Sequence, residues 1–212
     1  MAYEYYRGHL PQDKGIKVLD VGCGDGGFLL FLKEEGFRDV GGVDIDRAQV
    51  EACKAKGVRE VEAIDDLEKF LKKRQSCYGL IIMKQVIYYF SDDELIRYLA
   101  AVREALAHDG TLIIEVFNGA PLTGRYIKDK DYRIKRVFTE YSVRAVLEDS
   151  GFRVVELFGS GGAPRGLKAV LWHAAQKIWF VLMRCIYILE RGLDPYNPTI
   201  FTKYLIAIAT KR

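Results

Sequence analysis

Between residues 16 and 27 the chain reads Ile-Lys-Val-Leu-Asp-Val-Gly-Cys-Gly-Asp-Gly-Gly, and this stretch restricts the fold more than any other. Ile16, Val18, Leu19 and Val21 bracket Asp20 in a run suited to a short buried strand. Gly22, Gly24 and Gly26 follow, with Gly27 behind them, and Phe28-Leu-Leu-Phe-Leu-Lys then opens a helical pattern. A strand, a glycine bend and a helix start form the first unit of a doubly wound nucleotide-binding α/β fold. Without a Cβ, glycine lets the bend turn tightly and lets a ligand lie on bare backbone. The helix beyond the bend presents unpaired N–H groups to that ligand.

Two ligand classes use such a bend. Gly22, Gly24 and Gly27 satisfy G-x-G-x-x-G, and Asp44 follows at about the 20-residue distance of a dinucleotide fingerprint. Asp20 argues against a dinucleotide, because an acidic side chain just before the first glycine is badly placed for an anionic pyrophosphate. S-adenosylmethionine carries an ammonium, a carboxylate and a sulfonium but no phosphate, and an acid at the entry of the bend can orient its ammonium through the adjacent backbone. Val18-Leu-Asp-Val-Gly-Cys-Gly-Asp-Gly-Gly-Phe-Leu closely resembles motif I of the class I S-adenosylmethionine-dependent methyltransferases. The resemblance implies a Rossmann-like, seven-stranded, doubly wound α/β sheet of order 3-2-1-4-5-7-6 with the last strand antiparallel. It also implies S-adenosylmethionine as cofactor, held at Asp20, Gly22, Cys23 and Gly24.

The remaining candidates follow in chain order. Residues 1–15 form an aromatic and basic cap, a short helix ended by Pro11. Its Arg7 either lies on the surface or pairs with the cofactor's carboxylate as a bidentate fork. Residues 28–35 form the first helix, and Val40-Gly-Gly-Val-Asp a second strand ending at Asp44. A carboxylate there can accept from both ribose hydroxyls, with Ile45 against the adenine and Asp46 capping helix 47–56. A third strand spans 57–64; of Asp65 and Asp66, one reaches the adenine amine or one caps the next helix. Tyr78-Gly-Leu-Ile-Ile-Met is an almost unbroken apolar run, as a central parallel strand requires. It delivers Lys84 and Gln85 to the cofactor, and Tyr88 and Tyr89 to the place where the acceptor meets the methyl group. Ser91 and Glu94 open a capping-box helix, 92–107, before a turn at His108 and a fifth strand from Thr111. Residues 119–138 read as a charged acceptor loop containing Tyr132, and six basic residues favour an acidic or polar acceptor over a flat hydrophobic one.

The family's last two strands form a hairpin, whereas here the segment 159–200 separates them. It contains a strongly apolar helical stretch, 167–191, with Lys177, Arg184 and Arg191 stacked on one face. His173, Gln176, Lys177 and Arg184 interrupt it too often for a membrane span. Three roles stay open: packing on its own fold, lying in a membrane interface, or dimerising.

The whole chain is expected to form one unit, with 1–15 as cap, 119–138 as acceptor loop and 160–200 as helical insertion. A net charge of +3 gives no reason to expect nucleic acid. Cys23, Cys53, Cys77 and Cys185 contain no C-x-x-C pair, so neither a zinc site nor a disulfide framework is expected. The polar, aromatic start lacks a signal-peptide pattern and leads to the expectation of a cytoplasmic protein, with peripheral membrane contact through 167–191.

A nearer likeness is to bacterial methyltransferases encoded among polysaccharide and O-antigen assembly genes. It is carried by Tyr6-Arg7-Gly8, Gln85-Val86-Ile87, Leu112-Ile-Ile-Glu-Val-Phe-Asn and the Phe138-Thr block. Those proteins follow Gln-Val-Ile with Glu-His, where this chain has Tyr88-Tyr89, and carry Thr-His where this chain has Asp131-Tyr132. The likeness implies methyl transfer to oxygen on a small-molecule, glycan or lipid-linked acceptor. Tyr88, Tyr89, Tyr132 and Glu115 are the polar groups able to orient it. The alternative is a catalytically idle module that binds S-adenosylmethionine or a dinucleotide and acts through its amphipathic helix.

Overall fold

In the computed structural model, residues 3–162, 164 and 166–212 are described. The strands are β1 (Lys17–Val21), β2 (Asp39–Asp44), β3 (Val61–Ala63), β4 (Tyr78–Lys84), β5 (Leu106–Phe117), β6 (Phe152–Gly159) and β7 (Tyr204–Lys211). They form one sheet in the order β3-β2-β1-β4-β5-β7-β6. Strands β1 to β5 pair in parallel, and β7 runs antiparallel to both β5 and β6. Leu80, Ile81, Ile82 and Met83 of β4 are completely buried, so this strand feeds the apolar cores on both faces of the sheet.

The helices are α1 (Gly27–Glu34), α2 (Arg47–Ala55), α3 (Leu67–Lys72), α4 (Asp92–Ala105), α5 (Gly124–Asp129), α6 (Glu140–Asp149) and α7 (Leu167–Arg191). Ser91 and Glu94 close the expected capping box on α4, and Thr139 and Ser142 do the same on α6. Residues Glu4–His9 form a 3-10 turn, not an α-helix.

Three expectations are corrected. The third strand shortens to Val61–Ala63, because only these residues pair with β2. The fifth begins at Leu106, which pairs with Tyr78, and the register slips before Leu80 and Thr111 pair. The 119–138 segment contains a helical turn, α5, fastened by Ile127 and Ile134 buried in the core.

Helix α7 is continuous, as its periodicity demands, but packing on its own fold accounts for little of its apolar surface. Met183 is its one buried residue; with Phe180 and Tyr187 it meets Ala120 and Phe201 in a narrow seam. No helix among the described residues is long and apolar enough to cross a membrane.

Candidate active site

The carboxyl ends of β1, β2 and β4 converge on the glycine bend. Gly22 and Cys23 donate their N–H groups to the Val43 carbonyl at 2.7 and 3.0 Å, which ties the bend to β2. Gly22 has φ +75°, and a Cβ there would lie 2.3 Å from Val86 Cγ2. Gly22→Ala is therefore expected to destabilise the protein by about 2 kcal/mol or more, read from urea unfolding. An unchanged midpoint would show that Val86 yields freely.

Two cavities meet at this rim. The smaller, about 290 Å3, is lined by Tyr3, Asp20, Gly22, Cys23, Lys84 and Gln85 among others. The larger, about 720 Å3, is lined by Asp44, Ile45, Ile64, Asp65, Tyr132 and Arg133 among others. Gly22, Gln85 and Tyr89 line both.

Asp20 is the most unusual group in the smaller cavity. Only 2% of it is exposed, and its Oδ1 has no hydrogen-bond partner. Burial raises its pKa from 3.8 to about 7, although the nearby Lys84 charge pulls the other way. A buried, unpaired carboxylate oxygen is costly unless a cation meets it. Lys84 reaches Glu115 at 3.6 Å and lies 5.3 Å from the centre of the Tyr3 ring.

Asp44 ends β2 with both oxygens engaged. Oδ2 accepts from Gly24 N–H at 2.8 Å and Oδ1 from Asp46 N–H at 2.9 Å. Each oxygen keeps a further lone pair for a ligand hydroxyl. Asp46 caps α2 by accepting from Ala48 N–H. The adjacent acids also divide their roles: Asp66 caps α3 by accepting from Lys69 N–H, while Asp65 lines the larger cavity. Ile45 stands on the cavity wall, 80% exposed, an apolar surface open to a flat ring.

Gln85 adopts φ +59°, strained for a residue with a Cβ. Its N–H donates to the Glu115 carbonyl at 2.8 Å, and its Nε2 to Glu115 Oε1 at 2.7 Å. The same carboxylate accepts from Tyr5 Oη at 2.8 Å and Tyr6 Oη at 2.7 Å. Glu115 is thus a completely buried acid that pins the N-terminal turn and the end of β4 to β5. The sequence marks it as a polar group at the rim, but its donors lie 109 and 110 residues away in the chain.

Arg7 is not brought to either cavity. Its Nε donates to Glu35 Oε1 at 2.7 Å on the protein surface, the first of the two placements open to it from the sequence. Cys23 packs between Gly42 and the bend, and burial pushes its thiol up, out of reach of ionisation. Tyr88 is buried against Phe117 and Tyr89, and burial raises its hydroxyl well above the ordinary tyrosine value, so it is no base near neutral pH. Tyr89 is partly exposed between the cavities, and Tyr132 is 95% exposed on the rim of the larger one. Arg133 stands over the Tyr89 ring, and Lys135 N–H donates to the Tyr88 carbonyl, so the 119–138 segment closes over this side.

The sheet order, the glycine bend and the acids ending β1 and β2 define a nucleotide-binding α/β enzyme of the methyltransferase kind. The chain belongs to the methyltransferase-domain family, whose model matches residues 5–157. It is a S-adenosylmethionine-dependent methyltransferase. It superposes on a S-adenosylmethionine-dependent methyltransferase from Archaeoglobus fulgidus with TM-score 0.71 and 24% identity, over 98% of this chain and 91% of that one. The match to one from Mesorhizobium loti has TM-score 0.65 and 18% identity, over 100% and 98%. A TehB-like methyltransferase from Corynebacterium glutamicum matches with TM-score 0.59 and 21% identity, over 97% and 84%. No curated relative matches the sequence.

The residues present fit the cofactor's chemistry. Asp20 Oδ1 is a buried acceptor lacking a donor, Lys84 is the cationic side chain on the smaller cavity among the described residues, and Asp44 retains lone pairs for a diol.

Proposed function

We propose that the chain O-methylates a polar small molecule or a glycan or lipid-linked acceptor, using S-adenosylmethionine held across the two cavities. The observation that carries the cofactor's placement is the unpaired buried oxygen of Asp20 beside the glycine bend. Asp20 takes the ammonium, and Lys84, with Arg7 committed to Glu35, takes the carboxylate. Asp44 accepts from the ribose hydroxyls, while Ile45, Ile64 and Asp65 receive the adenine. Gly24 gives close approach, since a Cβ there would face open space. When bound, the cofactor supplies a methyl group activated on a sulfonium.

The chain's own task is then to position an acceptor and exclude water. Tyr89, placed between the cavities, is the hydroxyl best situated to orient an acceptor oxygen by donating to it. Tyr88 packs against that ring at a tilt. Tyr132, Arg133 and Lys135 line the larger cavity together with Asp46, Asp65 and Glu94, a polar wall of both signs that suits an acceptor rich in hydroxyl groups. No histidine stands at either cavity among the described residues, and the carboxylates of Asp65 and Glu94 line the larger one beside Tyr89.

Asp44→Ala is expected to weaken binding of S-adenosylhomocysteine at least tenfold, measured by calorimetry, with the fold retained by circular dichroism. Unchanged affinity would remove Asp44 from the ribose site. Replacing Tyr89 with Phe tests the acceptor side: the cofactor's affinity stays and turnover on glycan acceptors falls.

A further inference from the structure

Helix α7 presents an apolar surface that the rest of the chain leaves uncovered. At 3.6 residues per turn, its contact seam of Phe180, Met183 and Tyr187 occupies one side. Leu171, Trp172, Ile178, Trp179, Leu182 and Leu189 project mainly from the other, and all are exposed, Leu171 by 62% and Leu189 by 84%. The helix therefore shows the protein its narrow face and solvent its wide one. Glycines with positive φ, Gly166 and Gly192, bound it at either end, and exposed Leu193 and Tyr196 extend the surface past its C-terminus.

Charge decides the occupant. Lys177, Arg184 and Arg191 form a row beside the contact seam, on the side of the helix turned from Leu171, Leu182 and Leu189, and Lys168 lies within the outer face. Glu190 is the single acidic residue of the helix. Lys177 and Arg184 have no ion-pair partner among the described residues; Arg191 pairs with Asp194. A second copy would bring a helix carrying Lys168, Lys177, Arg184 and Arg191 against one of the same charge, with Glu190 as its single acid. A bilayer containing anionic lipid takes the wide apolar face among its acyl chains and attracts the helix's excess of positive charge. Both tryptophans of the chain, Trp172 and Trp179, lie at the edge of this face, where an indole can keep its N–H in the interface.

We propose that α7 is an interfacial helix that docks the enzyme on anionic lipid surfaces with its axis in the membrane plane. The seam that anchors it includes Ala120, whose carbonyl accepts from Tyr187 Oη at 2.9 Å. A docked helix thus holds the start of the 119–138 segment at the membrane surface. The proposal stands whether the acceptor is free or lipid-borne.

The tryptophan content makes the test direct, because both tryptophans lie on α7 and selectively excited tryptophan emission reports on that helix alone. The full chain is mixed with phosphatidylcholine vesicles containing a third phosphatidylglycerol, and with pure phosphatidylcholine vesicles, and followed by flotation and emission. Binding with a blue shift on the anionic vesicles, weaker by at least tenfold on the neutral ones, is expected. Leu171→Glu/Leu182→Glu and Lys177→Glu/Arg184→Glu should each reduce binding at least tenfold. These side chains are outside the core, and retained S-adenosylhomocysteine affinity confirms that each variant is folded. An unshifted emission with no flotation on the anionic vesicles overturns the proposal. So does a concentration-dependent dimer, abolished by the double leucine variant, in a protein that ignores both vesicles; the covering surface is then a second copy.

Discussion

Asp20→Asn raises the thermal stability of the ligand-free protein and, in the same variant, weakens S-adenosylmethionine binding by roughly 100-fold or more. Both effects come from one oxygen. Burial lifts the Asp20 pKa from 3.8 to about 7, so folding favours the protonated form. A raised carboxylate pKa contributes stability that is complete below about pH 4 and disappears as pH rises through 7. At pH 8 the ionised side chain therefore costs the apo protein on the order of 4 kcal/mol relative to its protonated form. Asparagine cannot ionise and escapes that cost, so its advantage should grow between pH 5 and pH 8 and be small at the acid end. The ligand's ammonium needs the ionised form. Wild-type affinity should accordingly fall as pH drops below 7, whereas the residual affinity of Asp20→Asn should not follow that curve. Thermal melts and calorimetry across this range measure both. A variant that is less stable at pH 8 and binds normally would make Asp20 a structural acid.

Glu115→Ala is expected to cost roughly 3 to 5 kcal/mol, a large share of a domain's stability. Tyr5 Oη, Tyr6 Oη and Gln85 Nε2 all lose their acceptor, and Lys84 loses its nearest anion. Tyr6 is completely buried, so its hydroxyl has no water to turn to. Gln85 is held at positive φ partly by its side-chain bond to Glu115, so the end of β4 should relax as well. The variant should also expose residues 3–15 to limited proteolysis and bind S-adenosylhomocysteine more weakly. Glu115→Gln, which keeps the shape and part of the accepting capacity, should fall between it and the wild type. A loss below about 1 kcal/mol on urea unfolding would mean that these hydroxyls find other partners.

The parts of the site that the sequence discloses are those that local chemistry determines. Gly22, Gly24, Asp20 and Asp44 belong to two strand ends and one bend, and the alternation of apolar runs places them at one rim. Asp46 caps α2 as its position foretells. What stays hidden depends on distant partners. Arg7 has the composition of a carboxylate clamp, but Glu35, 28 residues away, takes it. Asp65 and Asp66 are equivalent on paper; the start of α3 at Leu67 makes the second a cap and leaves the first on the cavity wall. Glu115 reads as a rim group until the N-terminal turn folds over it and supplies two phenols. The 119–138 segment has a loop's composition, yet Ile127 and Ile134 find the core and wind part of it into a helix. Helix α7 is fully legible as a helix, whereas its narrow seam could not be inferred, because Ala120 and Phe201 come from remote parts of the chain.

The Asp20–Asp44 cradle is tested most directly by a crystal structure of the complex with S-adenosylhomocysteine. The ammonium should donate to Asp20 Oδ1 and the ribose hydroxyls to Asp44, with the adenine against Ile45. A ligand seated elsewhere, or one whose ammonium leaves Asp20 Oδ1 without a partner, would contradict the account.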